Sequence, residues 1–190
     1  RPSDVKINLH NKNTQLSIRL NPDKPRPQPA RRAEVRAVDY EFDSAVDEAT
    51  KIQITKLIQD SEVQAMLSGA LKEGEKIYFF QADVSVSTLP LKHAKPFREK
   101  WGIEKGFIIF LDENWAKRTE EINLGYLSHE AGHIAFDRHM EQTHPRRLSS
   151  LDQLNKAVKD HGNELTRMFY NQFLDFEIVR FQYENGWTRS

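Results

Sequence analysis

From Ala45 to Leu71 the apolar residues return every three or four positions: Ala45, Ala49, Ile52, Val63, Met66, Leu67 and Leu71, with Ile54, Leu57 and Ile58 between. That period belongs to a helix with one apolar face. The polar break at Asp60-Ser61 predicts two helices rather than one, and Gly74 ends the second. The period then changes. Lys76 to Leu89 contains the apolar run Ile77-Tyr78-Phe79-Phe80, followed by Val84 and Val86 alternating with Ser85 and Ser87, which predicts one or two strands. Lys105–Leu111 (KGFIIFL) predicts a short, strongly apolar strand, and Asp112-Glu113-Asn114 turns the chain.

Helical periodicity resumes after Thr119, a natural N-cap, with Glu120 and Glu121 in the first turn, where the helix dipole favours carboxylates. The helix is predicted to about Arg138, with Ile122, Leu127, Ala131, Ile134 and Ala135 on its buried side. Residues 141–149 read as a loop, and Ser149 with Asp152 as the capping box of a helix to about Asp160. Asn163 caps a last long helix to about Tyr183, closed by Asn185-Gly186. At the other end, Asp4–His10 and Gln15–Leu20 alternate, so residues 1–20 are expected as a β-hairpin. Residues 21–43 are expected as a basic linker or arm, with four prolines among residues 21–31. Residues 44–190 then form one domain of α+β class, mostly helical with a small mixed β-sheet.

Composition narrows the function. The 190 residues balance 28 Lys and Arg against 28 Asp and Glu, so no global field attracts nucleic acid or an anionic surface. The cluster Arg19, Lys24, Arg26, Arg31, Arg32 and Arg36 is read as a solvated linker in preference to a nucleic-acid arm. Mean hydropathy is −0.71, and no apolar run approaches the roughly 18 residues that span a bilayer, so no membrane partner is expected. No signal peptide is read, and the start at Arg1 fits a trimmed or mature form. The chain has no cysteine, which excludes disulfides, thiolate metal sites and a cysteine nucleophile.

Chemistry enters at His129-Glu130-Ala131-Gly132-His133, which reads HExxH inside the predicted helix. Residues four apart share a helix face, so both imidazoles reach one metal ion, and Glu130 stands beside them to take a proton from its water. This is the arrangement of zinc-dependent hydrolases, most often peptidases, and Zn²⁺ is the expected cofactor. A catalytic zinc takes a third protein ligand and keeps one position open. The candidates are His139, His144, His161, Glu164, Asp175 and Glu177.

The order of elements around HExxH resembles the zincin metallopeptidases over about residues 44–185. The metzincin branch of that family would make His139 the third ligand. However, Phe136 stands where those enzymes have the glycine on which their chain turns. The gluzincin branch takes a glutamate from a later helix. In the last helix Tyr170, Phe173, Leu174, Glu177 and Phe181 share a mostly apolar face, so Glu177 is a carboxylate on a side expected to be buried, where it needs a cation. Glu177 is the favoured third ligand, with Asp175, Glu164 and His139 as alternatives. Tyr170, two turns before Glu177, is similar in spacing to the tyrosine of the anthrax lethal factor catalytic domain family, where it would donate to the oxyanion. The resemblance implies a zinc endopeptidase acting on a protein or peptide, with Glu130 and Tyr170 catalytic and the strand at 107–111 bordering the cleft. It also implies a narrow-specificity protease such as a toxin or secreted effector. A weakly active regulatory or binding module of the same family is the alternative.

Overall fold

The computed structural model describes residues 37–103 and 105–187, and the side chains of these except 148–152. The expected hairpin and most of the basic arm lie outside the described residues. Two of the chain's elements come in the order the periodicity predicts: α1 (Glu48–Leu57) and α2 (Ser61–Ala70), divided at Asp60, whose carboxylate caps α2 by accepting from the Glu62 and Val63 amides. Strand β2 (Lys76–Ala82), strand β3 (Ser87–Pro90), helix α3 (Lys95–Trp101) and strand β4 (Gly106–Asp112) follow. The chain ends with α4 (Glu120–Thr143), α5 (Pro145–His161) and α6 (Glu164–Glu184). The fold is mixed α and β, mostly helical, with one small sheet.

Strand β1 (Tyr40–Phe42) precedes all of these and pairs parallel with β2. Together with buried Val38 it moves the domain boundary N-terminal to the expected residue 43. The sheet order is β1-β2-β4-β3, with β2 and β4 parallel and β3 antiparallel to β4. β4 is therefore paired along both edges, and Gly106–Asp112 is apolar on both faces because a core covers each of them. Phe107, Ile109 and Leu111 enter the main core with Ile77 and Phe79 of β2. The alternate residues Tyr78 and Ile108 enter a second, smaller core with Leu91, covered by Phe97 and Trp101 of α3.

Two expectations change here. The strand at 107–111 does not border a cleft with a free edge, because both its ladders are occupied; among the described residues the edge strand on that side is β3. The loop expected at 141–149 is mostly helix. α4 continues to Thr143, and Pro145, whose missing N–H costs nothing at a first helical position, opens α5 after His144. The Ser149–Asp152 capping box thus falls inside α5. Among the described residues no helix is long and apolar enough to cross a membrane.

Candidate metal centre

α4 begins where the sequence places it, with the Thr119 hydroxyl accepting from the Ile122 amide at 3.4 Å. Its buried side carries Leu127, Ala131, Ile134 and Ala135, as expected, whereas Ile122 is exposed. The HExxH segment lies mid-helix. The Nε2 atoms of His129 and His133 stand 3.1 Å apart, and their rings cross nearly at right angles, at 86°. Glu130 is buried at 4 % exposure. Its backbone carbonyl accepts from the Thr88 hydroxyl at 3.5 Å, which ties the motif to the edge strand β3.

The carboxylate that meets the two imidazoles comes from α6, and it is Asp175. Its Oδ1 lies 3.4 Å from His129 Nε2 and 3.5 Å from His133 Nε2. The three ligand atoms form a nearly equilateral triangle. An ion bound tetrahedrally at about 2.0–2.1 Å holds its ligand atoms about 3.3 Å apart, so the triangle has the dimensions of one face of such a site. Both imidazoles are 27 % exposed and Asp175 is 53 % exposed, which leaves a side of the triangle open to water or substrate. The donor set, two imidazoles and one carboxylate, fits a divalent cation. Among the described residues this is the group of His, Asp and Glu side chains whose ligand atoms converge.

Electrostatics agree with a site built for positive charge. Burial works against a protonated His133, but the hydrogen bond to Asp175 and the charges of Glu130, Asp175 and Asp137 outweigh it, so its pKa is raised. The Asp175 pKa is lowered, by the His133 hydrogen bond first, against burial, with His129 assisting.

Glu177 is placed elsewhere. Two residues on from Asp175, it points about 200° further round the helix. There it accepts from Arg147 of α5 at 3.0 Å, with Arg180 at 4.0 Å. The half-buried carboxylate does have its cation, but that cation is a guanidinium. Tyr170, seven residues before Glu177, is buried in the same row, on the flank that faces α5. It does not share the Asp175 row, so the spacing that favoured it as an oxyanion donor is lost with Glu177. His139 is separated from the pair because α4 does not turn at Phe136; it lies about 9 Å further along the axis than His133, against the Phe181 ring at 5.1 Å. Glu164, in the first turn of α6, is about 16 Å along its axis from Asp175.

Gly132 sets how closely the two helices approach. A Cβ built there would fall on the side chain of Gln182, which is fully buried and donates from Nε2 to the Ser128 carbonyl at 2.9 Å, and would sit 3.0 Å from Ile178 Cγ2. Gln182 and Ile178 flank the turn of α6 that follows Asp175. Gly132→Ala is therefore expected to push α6 from α4. Overpacking costs about 1–3 kcal/mol against the roughly 1 kcal/mol alanine returns in helix propensity. Chemical denaturation should show a net loss of stability, and metal titration a weaker site; an unchanged affinity would show that the Asp175 position does not depend on this contact.

No family model, curated protein or solved structure matches the chain.

Proposed function

We propose that the protein is a zinc-dependent endopeptidase of the zincin type, with His129, His133 and Asp175 as the metal ligands and Glu130 as the general base. The observation that carries this reading is the triangle of 3.1, 3.4 and 3.5 Å between the three ligand atoms, formed by an HExxH segment whose glutamate is buried next to it. Two imidazoles with one carboxylate and an open side are the donor set of catalytic rather than structural zinc.

When bound, zinc supplies Lewis acidity and makes water acidic enough to lose a proton near neutral pH. Glu130 accepts that proton as water attacks the peptide carbonyl, and returns it to the amine nitrogen as the C–N bond breaks. Asp175 and the two histidines hold their positions through packing: α4 on the sheet, and α6 on α4 through Ile178, Phe181 and Gln182. β3, tied to the motif by Thr88, has one ladder unpaired among the described residues and so offers main-chain groups to an extended peptide. The basic arm considered for nucleic acid lies outside the described residues and takes no part in this reading.

The test is hydrolysis of an unfolded protein substrate with and without a chelator. Cleavage that stops on chelation and returns with added zinc is the expected result. Cleavage undiminished in chelator would contradict the proposal.

A further inference from the structure

The exposed apolar surface is concentrated on the two helices that bring the candidate ligands together. Among the described residues eleven large apolar side chains are exposed, and eight of these belong to α4 or α6. On α4 they are Ile122 and Tyr126, 50 % and 41 % exposed. With His129 and His133 they fall at successive spacings of four, three and four residues, one continuous stripe of the helix. On α6 there are six more, from Leu165 to Val179. Met168 and Val179 lie seven residues before and four after Asp175, in its row; the rest continue round the side of α6 away from the core. The apolar surface therefore starts at the metal ligands on both helices. A surface of this kind on a folded chain marks a binding face.

We infer that this face selects the substrate: a polypeptide carrying large apolar side chains on both sides of the bond presented to His129, His133 and Asp175. The inference rests on the peptidase reading above. The position of the face favours this occupant: His129 and His133 belong to the stripe of Ile122 and Tyr126, and Asp175 to the row of Met168 and Val179, so a peptide presented to the three ligands lies along both. Its backbone pairs with β3 while its side chains lie on Ile122, Met168 and Val179, the usual division between main-chain affinity and side-chain choice.

Two readouts test this separately from catalysis. In the first, the zinc-loaded chain digests a reduced, alkylated protein, and the cleavage sites are mapped by mass spectrometry. Bonds flanked by Leu, Ile, Phe or Met are expected. The triple variant Ile122→Gln, Met168→Gln, Val179→Gln is expected to cut them about a hundredfold more slowly, each lost apolar contact weighing several-fold. Ile52→Gln, at the 65 %-exposed Ile52 on α1, is expected to cut at the normal rate. Cleavage without side-chain preference, or at an equal rate in the triple variant, overturns the inference and leaves the peptidase reading standing. In the second, the Glu130→Gln chain loaded with zinc is titrated with a labelled peptide having Leu-Phe at its centre and with one having Ser-Gly there. Tighter binding of the first, lost in the triple variant, is expected. Equal binding of the two peptides overturns the inference even if no substrate is ever cut. Triple-variant-sensitive binding to phosphatidylcholine–phosphatidylglycerol vesicles, or triple-variant-sensitive dimerisation in sedimentation, would also overturn it by assigning the face to another occupant.

Discussion

Replacing Glu130 by Gln is expected to leave zinc bound and to lower the rate of peptide hydrolysis about 10²–10⁴-fold. The two side chains have nearly the same shape, so the change keeps the packing of a residue that is only 4 % exposed. It also keeps the Thr88 contact, which is made to the backbone carbonyl rather than the carboxylate. What it removes is the ability to accept a proton. The imidazoles cannot take over, because the Nε2 of each is directed at the metal position. The measurement is kcat/KM on a cleaved peptide together with zinc content. A variant that keeps its zinc and its full rate would eliminate Glu130 as the base.

Asp175→Ala and Glu177→Ala are expected to separate cleanly. Loss of Asp175 removes one of three ligand atoms and should weaken zinc binding by at least about a hundredfold, since even partners outside the ligand shell carry 10–100-fold. Activity at limiting zinc falls with it. Loss of Glu177 removes an ion pair whose Arg147 partner is 53 % exposed, and such a pair contributes about 0–1 kcal/mol. Zinc affinity should be unchanged. Equilibrium titration against a competing chelator reads both. The opposite ranking would return the third ligand to Glu177, and with it the Tyr170 row.

Why the sequence points to Glu177 while the structure presents Asp175 is a matter of helix phase. α6 is apolar nearly all round: Leu165, Phe169, Phe173, Phe176 and Val179 on one side, Tyr170, Ile178 and Phe181 on the other. Periodicity alone cannot say which side is covered, and the reading that buries Phe173 puts Asp175 on a solvated face. In the structure Phe173 is 44 % exposed, whereas the polar Gln182 is fully buried. The missing information is tertiary. Gln182 belongs inward because Gly132 leaves room for it and the Ser128 carbonyl accepts its amide. By contrast His129, Glu130 and His133 were legible because their relation is set within one helix, independent of any partner.

The same distinction runs through the fold. α1, α2 and their division at Asp60 follow from local spacing and a local cap, as does the start of α4 at Thr119. The strands were legible as strands, but their order was not. Nothing local shows that β4 is inserted between β2 and β3, and so the edge beside the motif was assigned to 107–111 instead of Ser87–Pro90. β1 is three residues long and α3 seven, too short for a period to declare itself.

The most direct measurement is X-ray absorption at the zinc edge on the chain dialysed against zinc and freed of excess metal. One zinc per chain is expected, with two imidazole nitrogens and carboxylate oxygen at about 2.0–2.2 Å, and with the imidazole signal lost in His129→Ala. A folded chain that retains no zinc, or one whose zinc shell contains no imidazole, would contradict the account.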